Sequence, residues 1–155
     1  MNASIIRVAS DLEKIRSIDL KLVTQILTPN LAAEGLKGSI ESLCEQYRSG
    51  IEYQIQVDSF FKESEDELLL GIYRIVEQGI INAITHGPAS KVFIKVEKTI
   101  LDSILVEVSD NGPGSDNPKS GTGSAVIDAW CSILGGIKEI ESELNHGFTL
   151  RVIIP

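Results

Sequence analysis

Three groups of residues in this chain have the types and spacing that chemistry needs, and they follow one another in order. The first is Gln78, Asn82 and His86, each four residues from the next and so along one side of a helix. The second is Asp110-Asn111-Gly112-Pro113-Gly114, placed directly after an alternating apolar run. The third is Gly121-Thr122-Gly123, which opens an apolar helical stretch. An amide oxygen on a helix can ligate Mg²⁺, which keeps several waters and takes only one or two protein ligands plus phosphates. A carboxylate at a strand end can accept a hydrogen bond from an exocyclic amine such as that of adenine. A glycine loop feeding a helix N-terminus offers free N–H groups and a positive dipole end to phosphate. Each group also has a plain structural reading. Amides at the border of a buried face can cap neighbouring backbone, Asp-Asn-Gly is a common turn, and Gly-Thr-Gly can simply start a helix. The last is not a P-loop, because no Gly-Lys-Ser/Thr follows. Nor is it a dinucleotide fingerprint, since Val126 occupies the third glycine position and no strand directly precedes it.

These groups need elements to hold them. Residues 68–87 read as one long central helix, with Leu68, Ile72, Ile75, Val76, Gly79 and Ala83 on one apolar arc and Gln78 and Asn82 at its edge. Ser64 and Glu67 have capping-box spacing for its start, and Gly87-Pro88 stops it. Upstream, Ile5, Val8, Leu12, Ile15, Asp19, Leu22 and Ile26 step by three and four. This is a heptad-like helix over 5–27 with one acidic break, and Ser10 and Glu13 allow a start nearer residue 11. A second helix fits 31–48, with Leu36, Ile40, Leu43 and Tyr47 on one side and Gly50 at the exit. Residues 51–58 alternate as a half-buried strand, 91–98 and 103–110 are two strands joined near Leu101-Asp102, and 124–134 is a helix ending at Gly135-Gly136. A hairpin across Asn145-His146-Gly147 closes the series. The order predicts an α+β layout with helices on one face of a mixed sheet.

Composition narrows the class. The chain has 155 residues, enough for one domain with a real core. Aromatics make up 5%, which points to an aliphatic core. A net charge of −8 argues against nucleic-acid binding, which needs a basic surface. No apolar run is read as long enough to cross a membrane, and no signal peptide opens the sequence. Cys44 and Cys131 lie in helical patterns and read as buried thiols of a cytoplasmic protein.

At this point the residues resemble the ATP-binding domain shared by sensor histidine kinases, gyrase-type ATPases and heat-shock chaperones. YRIVEQGIINAITHGPASKV is similar to that family's N box, DNGPG to its adenine box, and GTGSAVIDAW…LGG to its glycine-rich box. GFTLRVIIP resembles the close of the kinases, and LTPNLAAEGLKGSIESL the junction between a second dimerisation helix and the ATPase domain. The likeness spans roughly residues 20–155. It implies a two-layer sandwich of helices on one face of a mixed sheet, with an N-terminal helix over 1–28 and the ATP-binding domain over 29–155. It also implies ATP and Mg²⁺ as cofactors. By the resemblance, Asn82 ligates Mg²⁺, Asp110 binds the adenine amine, Gly112 and Gly114 shape the base pocket, and Gly121 and Gly123 cradle phosphates with Thr122 beside them. His86 and Gln78 stand at catalytic positions.

Some residues depart from the family pattern. Gln78 occupies a place where the closest subfamily commonly has Glu, and an amide cannot act as a general base. Glu77 lies about 100° round the helix, too far to replace it. Six residues, SDNPKS, separate the two glycine boxes, so the phosphate lid is short and Lys119 is its one cation. Ser124 replaces an apolar residue, and Phe148 stands where Thr is common. The two histidines are His86 and His146, and neither lies on the N-terminal helix. The resemblance therefore implies a phosphoacceptor His on a dimerisation domain of a longer kinase, with a response regulator as an indirect partner. Ile15, Leu22 and Ile26 are expected to form a homodimer seam. Two other readings share the features: a serine kinase of the anti-sigma-factor type, and a nucleotide-sensing interaction module without catalysis.

Overall fold

The computed structural model describes residues 30–48, 50–85, 89–115 and 122–155. The N-terminal helix and its dimer seam, His86, Lys119 and Gly121 lie outside these residues.

Five strands form one mixed sheet. They are β1 (Glu52–Val57), β2 (Lys91–Lys98), β3 (Ile104–Asp110), β4 (Ile137–Ser142) and β5 (Phe148–Ile154). Their spatial order is β1-β2-β3-β5-β4, with β1 parallel to β2 and every other pair antiparallel. Period-2 alternation assigns the two faces. Val92, Ile94, Val96, Ile104, Val106, Val108, Leu150, Val152 and Ile154 are buried on one side. The other side carries charge: Lys95 pairs with Glu97 at 3.0 Å, and Arg151 bridges Glu107 at 2.6 Å and Glu141 at 2.9 Å. Three helices cover the apolar face, α1 (Asn30–Gln46), α2 (Asp66–Thr85) and α3 (Thr122–Leu134). The α+β two-layer architecture is the one expected.

The central helix, α2, buries Leu69, Leu70, Tyr73 and Ile80 in addition to most of its expected arc. By length and composition it is long enough to cross a membrane, contrary to the sequence reading. Most of its apolar residues are nevertheless taken up by the core, because it packs against the sheet and against both neighbouring helices. Two glycines allow that closeness. A Cβ on Gly79 would stand 2.8 Å from Val108 of β3, and one on Gly71 would stand 2.6 Å from Leu134 of α3.

The start of α2 differs from the sequence reading. Ser64 does not cap it, because a short 3₁₀ turn, Ser59–Glu63, ends at Ser64, and α2 begins at Asp66. Asp58 caps this turn by accepting from the Phe60 N–H at 3.2 Å, and the turn drives Phe61 into the core at 2% exposure. Asp66 and Glu67 in the first turn favour the positive end of the α2 dipole. In α1, Gly35 interrupts the helix with φ 73°. Cys44 and Cys131 are buried free thiols, and burial, reinforced by Glu41 and Glu45, pushes the Cys44 pKa up to about 12.

Candidate functional site

The sheet register sets Asp110 and the β4–β5 turn at one end of the sheet. Asp110, the last residue of β3, pairs with Val92 at the start of β2 and with Phe148 at the start of β5. Because α2 ends at Thr85 and β2 begins at Lys91, the last turns of α2 reach that same end. The turn between Ser142 and Phe148 lies there too. Gly71, near the start of α2, meets Trp130 and Leu134 at the end of α3. The two helices pack against each other, and Thr122 and Gly123 are the first residues of α3. Gly79, between Gln78 and Asn82, packs on Val108, two residues before Asp110, so the later part of α2 lies over the end of β3. Gln78 and Asn82 are both half-buried, and neither amide finds a side-chain hydrogen-bond partner among the described residues. The capping role of the plain reading is not what occupies them there.

Asp110 is held in an unusual setting. Its Oδ1 accepts from the Gly112 N–H at 2.8 Å, and the Phe148 N–H also supports the carboxylate. Burial nevertheless dominates and raises its pKa above the ordinary carboxylate value. A half-buried anion supported by main-chain amides is a strong acceptor for a further N–H donor.

The loop that follows is fastened at both sides. Asn111 Oδ1 accepts from the N–H groups of Ser90 and Lys91, both at 2.9 Å, and its Nδ2 donates to Ser90 Oγ at 2.8 Å. On the other side the β4–β5 turn closes against it. Asn145 N–H donates to the Pro113 carbonyl at 2.6 Å, and Ser115 N–H donates to Ser142 Oγ at 2.8 Å. Gly114, at φ 63°, has no room for a Cβ, which would stand 2.2 Å from the Glu143 carbonyl oxygen. Asn111, Ser142 and Gly147 therefore build the site although sequence reasoning did not assign them to it. Their partners lie 20 or more residues away or on an opposing backbone, and local spacing carries no trace of that. A separate groove of about 610 Å³ lies between α1 and β1, lined by residues such as Glu34, Cys44, Glu52 and Tyr53. None of the residues named for chemistry lines it.

No protein-family model matches the chain. It is 30% identical over 142 residues to the sensor histidine kinase LiaS of Bacillus subtilis, a match covering 86% of this chain and 38% of that protein. It is 24% identical over 127 residues to the oxygen sensor histidine kinase NreB of Staphylococcus carnosus, covering 78% and 36%. The chain thus spans little more than a third of these relatives. Among solved structures it superposes on the histidine kinase domain of the Erythrobacter litoralis EL346 blue-light activated histidine kinase. That match has a TM-score of 0.67 at 21% identity and covers 81% of this chain and 60% of that one. The fold is the histidine kinase ATPase fold. Full-length ShkA, solved in complex with AMPPNP, matches with a TM-score of 0.58 at 20% identity, covering 75% of this chain and 30% of that one.

Two departures from the kinase pattern now have structural content. Glu77 forms an ion pair with Arg74 at 2.8 Å, and Arg74 in turn lies 5.6 Å over the Tyr73 ring. The Glu77 carboxylate is thus engaged one turn back along α2. Phe148 keeps its main-chain donor to Asp110, so the change of side chain there spares that hydrogen bond. Thr122 and Gly123 are the first two residues of α3, so the helix begins two residues before the sequence bounds of 124–134.

Proposed function

We propose that this chain is the Mg-ATP-binding catalytic domain of a two-component sensor histidine kinase. It works in the cytoplasm and passes the γ-phosphate to a His on a dimerisation domain, from which a response regulator is served. One observation carries this reading: Asp110, the last residue of β3, is a half-buried carboxylate supported by the Gly112 and Phe148 N–H groups, ready to accept a further donor. Asp110 accepts the exocyclic amine of adenine, with Gly112 and Gly114 shaping the base pocket. Asn82 offers its amide oxygen to Mg²⁺, and Gly121 and Gly123 serve the phosphates, with Thr122 beside them. Mg²⁺, when bound, offsets negative charge on the phosphate oxygens. The AMPPNP complex of ShkA supports a nucleotide as the ligand of this fold.

Calorimetric titration with ATP and Mg²⁺ tests the reading, with saturable binding as the expected result. Asn82→Ala is expected to weaken Mg-ATP binding by at least about tenfold, by analogy with changes at metal-site residues, and to leave metal-free adenosine nearly unaffected. Equal losses for both ligands would remove Asn82 as a metal ligand, and no binding by the unaltered chain would remove the nucleotide site.

Gln78 gives the kinase reading a second consequence. A side chain there that can take a proton would add general-base assistance, a contribution of roughly a hundredfold or more in favourable cases. Gln78→Glu is therefore expected to raise ATP hydrolysis tenfold or more, on the order of a modest base contribution, with ATP affinity unchanged. Unchanged turnover in a variant that still binds ATP would show that this position carries no proton-transfer role.

A further inference from the structure

We infer that Ser142 is a positioning residue for the nucleotide site, setting the direction in which the base loop leaves toward the phosphates. The inference rests on the nucleotide reading above. Ser142 is the last residue of β4, far from the three chemical groups in sequence and half-buried beneath the β4–β5 turn. Its hydroxyl joins two segments of backbone. It accepts from the Ser115 N–H at 2.8 Å and donates to the Gly147 carbonyl at 3.2 Å. Ser115 is the residue at which the chain leaves the 110–114 loop and heads for α3. Gly147 is the residue whose α-carbon packs against the Asp110 carbonyl. One oxygen thus ties the exit of the base loop to the turn that backs Asp110.

A hydroxyl is suited to this bridge because it donates and accepts at once. Removing it leaves the Ser115 N–H and the Gly147 carbonyl without that partner. The neighbouring Asn145–Pro113 hydrogen bond at 2.6 Å survives and still holds the loop two residues earlier. The effect should therefore fall on the exit and spare the base pocket. Adenosine, recognised at Asp110, Gly112 and Gly114, should notice little. On the nucleotide reading the phosphates are met at the start of α3, and ATP should bind less tightly.

The test uses the 155-residue chain with Ser142→Val and Ser142→Thr, two side chains of nearly equal shape of which only Thr keeps the hydroxyl. Any disturbance from the added methyl is common to both, so their difference reports the hydroxyl. Mg-ATP and adenosine affinities are measured by calorimetry, with thermal midpoints alongside. The expected result is a loss for Val of roughly five- to tenfold in ATP affinity, the scale of one hydrogen bond, with adenosine within about twofold of the unaltered chain. Thr should restore ATP affinity. Equal loss for both ligands, equal behaviour of Val and Thr, or a loss that only follows the thermal midpoint would overturn the inference. Failure of the unaltered chain to bind ATP would instead overturn the nucleotide reading, and the two failures are told apart by that control.

Discussion

Asp110→Asn is expected to abolish most ATP affinity and at the same time to raise the thermal stability of the ligand-free chain at neutral pH. The two effects have one source. A carboxylate accepting from the adenine amine makes a charge-assisted hydrogen bond, worth about 1.5–3 kcal/mol. Its loss corresponds to roughly a ten- to hundredfold weaker complex. Without ligand, the same charge is a burden. Burial holds the Asp110 pKa above its ordinary value despite the Gly112 and Phe148 N–H donors. The folded chain therefore takes up this proton at a higher pH than the unfolded chain does. Between the two values the native state carries more protons, so acidification favours folding, and the full penalty acts above the folded pKa. Asn carries no such penalty. The stability advantage of the variant should be largest at neutral pH and shrink as the pH falls through the raised pKa toward the ordinary carboxylate range. Thermal melts at several pH values, paired with ATP titrations, check both halves. A variant less stable than the parent at neutral pH would show that the amide donors outweigh burial.

Gly147→Ala is expected to cost about 3 kcal/mol or more, the sum of left-handed backbone strain and overpacking against atoms that cannot give way. Gly147 has φ 82°, and a Cβ there would stand 2.0 Å from the Asp110 carbonyl oxygen. Gly50 supplies the comparison. Its φ is 72°, yet no atom lies within 4 Å of the Cβ that a substitution would add. Gly50→Ala should therefore carry backbone strain alone, about 1–2 kcal/mol. At roughly 2–4 °C per kcal/mol for a domain of this size, the two midpoints should separate by several degrees. Equal midpoints would mean that the β4–β5 turn is free to move away from Asp110. The same substitution at Gly147 should also weaken ATP binding, because the displaced backbone is that of Asp110 itself.

The comparison of these glycines shows which parts of the fold were legible. The strands and the apolar arc of α2 follow from periodicity, which is local, so the helix-on-sheet layout was readable from spacing alone. Asp110, Gly112 and Gly114 were marked by type and order, and the resemblance gave them roles. What spacing could not reveal was why Gly114 must be glycine: its neighbour is the Glu143 carbonyl, brought close only by the β4–β5 pairing. Local spacing puts Asn111 inside the Asp110–Gly114 group with no role of its own, whereas its amide fastens the loop to Ser90 and Lys91 across 20 or more residues. The α2 start was misread for a related reason. Ser64 and Glu67 have the right spacing, but the burial of Phe61 recruits a separate turn that ends at Ser64.

The order β1-β2-β3-β5-β4 has a consequence for how the site comes into being. β5 follows β4 in sequence yet lies between β3 and β4, so β3 keeps one edge open until β5 enters, and among the described residues β4 pairs with no other strand. Asp110 gains the Phe148 amide, and its loop gains the support of Asn145 and Ser142, only with that insertion. Before it, closing the sheet must bring together segments distant in sequence, which is the slow kind of contact in folding. The end that carries Asp110 is therefore complete only once β5 is in place, and a ligand that grips it would select molecules whose sheet is already whole.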